Sequence, residues 1–152
     1  MREINEIVIH CSATDFGNAE LFRNWHVNDN GWDDIGYHYV ILNSYPEKKN
    51  IELRKPVFDN DGKIEIGRDI SKPGAHVKNH NEDSIGICLV GNDTFSGKQF
   101  ESLKCLISTL LSIYPNVVIK GHYEYDTAII QGKTCPNIDM ELLREKLKNK
   151  NS

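Results

Sequence analysis

No stretch of this 152-residue sequence is apolar for long enough to cross a bilayer as a helix, which takes about 20 residues. The opening residues, Met1-Arg2-Glu3-Ile4-Asn5-Glu6, carry acids where an export signal needs a basic start and an apolar run. The expectation is therefore synthesis in the cytoplasm without a signal peptide and no membrane insertion. A dense Lys/Arg stripe is also missing: 18 basic against 22 acidic side chains leave a net charge of −4. That argues against a nucleic-acid binder that works by neutralising phosphates. The one basic run, Arg144 to Lys150, reads as the last turns of a helix, where cations suit the dipole. The four cysteines, Cys11, Cys88, Cys105 and Cys135, form no CxxC pair, and the chain is long for a disulfide scaffold. All four are expected reduced, with Cys88 and Cys105 as small core residues. Repeats and linkers are lacking too, so residues 1–152 are expected to form a single domain.

What is present alternates between strand and helix signals. Ile4 to Cys11 is β-branched and apolar, a buried strand ending at His10 and Cys11. From Asn18, Leu21, Phe22 and Trp25 recur at helical spacing, with Gly31 as the stop. Gly36 to Leu42 reads as a second strand. Asn43 to Asp61 is irregular and reads as a long hairpin or loop insertion, about residues 43–60, before a short strand from Lys63 to Ile66. Ser71 to Asp83 is a loop, and Ser84 to Val90 a near-continuous apolar run suited to a central strand. Ser96 with Gln99 forms a capping box for an amphipathic helix that Pro115 ends. Asn116 to Lys120 is another strand, followed by a polar loop and a last helix carrying Met140, Leu143 and Leu147. The class is α/β: one domain with a mixed central β-sheet flanked by helices.

Six histidines are candidates for chemistry. His76 and His80 are four apart, but Pro73, Gly74 and Asn79 argue against a helix there, and without one the spacing loses its geometric meaning. His10, His122 and Cys135 are a stronger set. His10 ends a strand, His122 directly follows one, and Cys135 sits in a short loop before Pro136. Strand ends of α/β sheets are where sites collect, and two His with one Cys are a known zinc set that leaves a fourth position open. A histidine at a strand end also has purely structural uses, so position alone leaves both readings open. Trp25 and Trp32 fit a core or the wall of a carbohydrate groove, and His26 fits a groove wall or packing.

Several blocks occur together along the chain. They are His10-Cys11-Ser12-Ala13-Thr14, Trp25-His26, Gly31-Trp32 and Asp34-Ile35-Gly36-Tyr37-His38-Tyr39. Gly67-Arg68, Gly74-Ala75-His76, Asn81, Ser84-Ile85-Gly86-Ile87, Gly91, Gly121-His122 and Lys133-Thr134-Cys135-Pro136 continue the series. In that order, from about residue 4 to residue 140, they resemble the type 2 N-acetylmuramoyl-L-alanine amidases. That family includes the T7-type phage lysozymes and the animal peptidoglycan recognition proteins.

The resemblance implies a zinc ion (Zn2+) held by His10, His122 and Cys135 at one end of a substrate groove. It implies catalytic roles for Tyr37 and Lys133, and His76 could line the groove as a substrate-binding residue. Another branch places an acidic residue in the strand occupied here by Ser84 to Val90; Cys88 and Leu89 supply no carboxylate, which favours the tyrosine and lysine version. Alternation along the second strand sets His38 on the face opposite Tyr37, in a structural role. The implied activity is hydrolysis of the amide between N-acetylmuramic acid and L-alanine in peptidoglycan, as in a phage or prophage endolysin that acts on the cell wall with antimicrobial effect. The rival is a non-catalytic peptidoglycan receptor on the same fold, a class that typically lacks the cysteine ligand.

Overall fold

The computed structural model describes residues 2–148. Its centre is a five-stranded sheet in the order β3-β2-β4-β1-β5. The strands are β1 (Glu6–Cys11), β2 (Tyr39–Ile41), β3 (Ile64–Ile66), β4 (Ser84–Leu89) and β5 (Val118–Gly121). β1, β2, β4 and β5 run parallel, and β3 alone is antiparallel, at the β2 edge. The helices are α1 (Ala19–Asn24), α2 (Lys48–Glu52), α3 (Gly97–Ile113), α4 (Asp126–Ile130) and α5 (Met140–Lys148). The expected mixed sheet with flanking helices is the observed architecture.

β1 and β4 are buried along almost their whole length because each has neighbours on both sides and covers on both faces. Their register sets Ile7 beside Ile85, Ile9 beside Ile87 and His10 beside Cys88. Alternation then sorts the two faces. Ile7, Ile9, Ile41, Ile85, Ile87 and Leu89 pack with Leu103, Ile107 and Leu110 of α3 and with Met140 and Leu143 of α5. The other face carries Val8, His10, Ser84, Gly86, Cys88 and Val40, and it is here that the functional candidates gather.

α3 begins where the capping box places it. Ser96 Oγ accepts from Gln99 N at 3.0 Å, and Gln99 Oε1 accepts from Ser96 N at 2.9 Å. The same buried Gln99 donates to the carbonyls of Val90 and Ile41, tying the helix start to two strand ends. Four expectations differ. The first helix has its Asn18 cap but widens into a π turn over Trp25–Asp29, which shifts the side chains of Trp25 and His26. The second strand is only Tyr39–Ile41, so alternation does not extend to Tyr37 and His38, and both side chains lie on the site face. Residues 126–130, read as polar loop, form α4 with Ile129 and Ile130 exposed. Cys105 is exposed, because the buried stripe of α3 runs through Leu103, Leu106 and Ile107 and passes it by.

The connection between β2 and β3 holds α2 and a 3-10 turn at Phe58–Asn60, and it is closed at its base by Leu42 N to Lys63 O at 2.8 Å. It is thus a hairpin with a long, partly helical connection. In the C-terminal basic run, Arg144 does more than face the helix dipole: it pairs with Glu124 at 2.7 Å. Lys150 lies outside the described residues. None of the described helices is long and apolar enough to cross a membrane.

Candidate metal centre and cleft

Parallel strands leave their C-terminal ends open to loops, and here two such ends lie side by side. β1 delivers His10 and Cys11; β5, hydrogen-bonded to it, ends at Gly121 and hands on to His122. The 3-10 turn His122–Glu124 is fixed from below, where Glu124 accepts from Gly121 N at 2.8 Å and holds Arg144 of α5. Gly121 has no room for a side chain: a Cβ there would lie 2.6 Å from Met140 Cγ and 3.1 Å from Pro136 Cδ. That close approach brings the loop after α4 against β5, and Tyr123 N to Cys135 O at 2.8 Å completes the docking. Cys135 Sγ thereby arrives over the end of β1, where Cys11 N donates to it at 2.9 Å.

The outcome is a cluster in which one ligand atom each from His10, His122 and Cys135 lies within 4.8 Å of the others. Zn–N and Zn–S bonds of about 2.0–2.3 Å give a tetrahedron edges of roughly 3.3–3.7 Å, so a modest contraction suffices to hold a metal ion. No other such group occurs among the described residues. The donors also suit a metal chemically. Burial, reinforced by the neighbouring histidines, holds the His10 imidazole well below the usual range, and burial with the nearby Lys133 ammonium pushes His122 to about 4. Both rings are neutral near pH 7, with a lone pair no proton contests. Between the two thiols, their shared hydrogen bond keeps the proton on Cys135, far above the usual range with burial adding to it. The same bond lets Cys11 fall to about 7. A bound cation would reverse that order, since a coordinated thiol gives up its proton.

The cluster lies at the floor of a cleft of about 650 Å³. Tyr37 lines it, with its ring 5.2 Å from that of His10. Burial and the adjacent cysteines hold its phenol well above the usual range, so it is a proton-bearing donor. Lys133 lines the cleft from the exposed loop before Cys135. His26 accepts from Gly36 N at 2.9 Å and lies tilted against Trp32, which is 38% exposed; Trp25 instead packs on Phe22. His38 is not at the cluster: it accepts from Gly86 N and hydrogen-bonds Lys72 O at 2.8 Å, and burial pushes it to about 4.

His76 and His80 separate, as the absence of a helix implies. His80 turns to Asp126 at 3.1 Å. His76 is 9% exposed, lines the cleft, and bonds His10 at 2.9 Å. Sequence reasoning missed Ser84, whose buried hydroxyl reaches His76, and the structural part of Arg68, which donates to the carbonyls of Asp34, Ile35 and Pro73. A hydroxyl at the head of an otherwise apolar strand was the available signal for Ser84.

Comparison with known proteins agrees with this geometry. The chain is 36% identical over 152 residues to the endolysin of Escherichia phage T7, covering 92% of this chain and 85% of that one. The N-acetylmuramoyl-L-alanine amidase LysC from Clostridium intestinale superposes with a TM-score of 0.75 at 25% identity, covering 97% and 87% of the two chains. Drosophila PGRP-LB, as a mutant in complex with tracheal cytotoxin, shares the fold at 22% identity and a TM-score of 0.67, over 90% and 76%. The family model for N-acetylmuramoyl-L-alanine amidase matches residues 1–138, and the chain belongs to that family.

Proposed function

We propose that this cleft hydrolyses the amide between the lactyl group of N-acetylmuramic acid and L-alanine in peptidoglycan, using a zinc ion held by His10, His122 and Cys135. The observation that carries the reading is the convergence of two neutral imidazoles and a thiol on the cleft floor of a chain in this family. A zinc ion there supplies Lewis acidity, which activates water and polarises a carbonyl near neutral pH. The protein's own groups supply the rest. Tyr37 keeps its proton and donates it, as a hydrogen bond, to charge developing on the scissile oxygen. Lys133 places a positive charge beside the same atom without needing to transfer a proton. Trp32 and His26 offer flat faces for sugar or peptide, and the edge of His76 lines the same cleft. Such a chain works as an endolysin does, reaching the wall from the cytoplasm once the membrane is breached.

The test is digestion of purified peptidoglycan by wild type, Cys135→Ala and chelator-treated protein, with product ends identified by mass. Free stem peptides beginning at L-alanine, absent with the variant and restored to stripped wild type by zinc, are the expected result. Tight binding to the polymer without cleavage, unaffected by Cys135→Ala, would leave a receptor in its place.

A further inference from the structure

We propose that Ser84 and His76 form a hydrogen-bonded chain that fixes the tautomer of His10, so that Nδ1 of His10 is the nitrogen presented to the metal. Three hydrogen bonds in series set the tautomer. Ser84 Oγ lies 2.7 Å from the carbonyl oxygen of His80, which can only accept, so the hydroxyl proton is committed there. What remains on Ser84 Oγ is lone pairs. His76 Nε2, 3.2 Å away, must therefore be the donor and carry the ring proton. A neutral His76 with its proton on Nε2 has its lone pair on Nδ1, and His10 Nε2 lies 2.9 Å from that atom. His10 Nε2 is thus protonated, and its free lone pair is on Nδ1.

The surroundings hold this chain in place. Gly86 on β4 leaves the space in which the His76 ring lies: a Cβ there would stand 2.7 Å from His76 Cγ and 2.9 Å from Nδ1. Asn81 Oδ1 accepts from the backbone N–H of both His76 and Val77 at 2.9 Å, pinning the loop that carries the ring. Ser84 is fully buried, so water does not compete for its lone pairs. A free imidazole exchanges between two tautomers, and the wrong one aims an N–H at the incoming ion. A ring already held in the ligating form spares the ion that rearrangement. Partners of this kind, behind a histidine ligand, change metal affinity by about 10–100-fold when removed. His76 is in this role a positioning residue, acting through His10.

The inference rests on the metal reading of His10, His122 and Cys135, and its test separates the two. Long-range 1H–15N spectra of the histidine rings in the metal-free, full-length protein report the tautomer of His10 directly. The expected result is a proton on Nε2; a proton on Nδ1 would overturn the proposal whatever the metal does. Zinc affinity is then measured by competition with a chromogenic chelator. His76→Leu is expected to weaken it by about 10–100-fold. His76→Gln, whose amide can accept from His10 and donate to Ser84, is expected to recover most of that loss. Ser84→Ala, a smaller change should the leucine variant fold poorly, is expected to weaken zinc in the same direction by less. Affinity unchanged in His76→Leu and Ser84→Ala, with zinc bound by wild type, overturns the chain. Zinc bound equally well by wild type and Cys135→Ala overturns the metal reading instead.

Discussion

The two faces of the central sheet are built from the same strands by opposite means. Toward α3 and α5, β4 presents Ile85, Ile87 and Leu89; toward the cleft it presents Ser84, Gly86 and Cys88. The first face is large, branched and non-directional, and it is satisfied by any close-packed cover. The second is small, which leaves room for rings brought in by loops. There the rings are held by directed bonds: His76 to Ser84, His38 to Gly86 N, and Tyr37 against Cys88. The largest hydrophobic cluster lies on one side of β4 and the candidate site on the other, beside a smaller cluster of Phe22, Ile35, Val40, Leu42 and Val90.

Leu103→Ala empties a fully buried position of α3 and should lower unfolding free energy by about 2–5 kcal/mol. Denaturant midpoints check this, while turnover per folded molecule should stay near wild type. A comparable loss of turnover would mean that the faces are coupled. The mirror experiment is Tyr37→Phe, which should cut kcat by about 10²–10³ in a peptidoglycan-release assay and leave the melting temperature nearly unchanged. The third concerns pH. His38 is held near 4, mainly by burial, against an ordinary value near 6.5. The unfolded chain therefore takes up its proton first as pH falls, so the stability His38 confers is whole above 6.5 and drains away toward 4. Melting curves over that window should fall less steeply for His38→Gln than for wild type. The smallest effect is expected at Ser96→Ala, which removes the α3 cap and should cost about 1 kcal/mol with no change in turnover.

How far each face could be read from sequence follows from what holds it. The packed face was legible because its cause is local: the capping box at Ser96, the stop at Pro115, and the runs of isoleucine in β1 and β4. Even there, reading Ser84 to Val90 as uniformly apolar missed the alternation of large and small that assigns its faces. The candidate site was legible in part, because His10 and His122 end parallel strands and the family blocks name their company. Its supports were not. The bond from His76 to His10 joins residues 66 apart, and the cap of Glu124 on Gly121 uses a side chain that looks like an ordinary surface acid. The π turn after Asn24 and the exposed Ile129 and Ile130 of α4 were also missed, since neither follows from the local spacing of apolar residues.

The placement of Cys135 against Cys11 also bears on how the chain comes apart. The two cysteines are 124 residues apart in sequence, and His10 and Cys135 belong to segments near opposite ends of the molecule. A link between those segments closes a loop of most of the polypeptide, the kind of closure whose loss frees the most chain entropy. Displacing either β1, which carries His10, or the loop that carries Cys135 takes a side chain from the same cluster. Because β1 lies between β4 and β5 and carries Ile7 and Ile9 of the main core, on that side the candidate cluster and the core come apart in one step: His10 has no separate way to leave while the sheet stands.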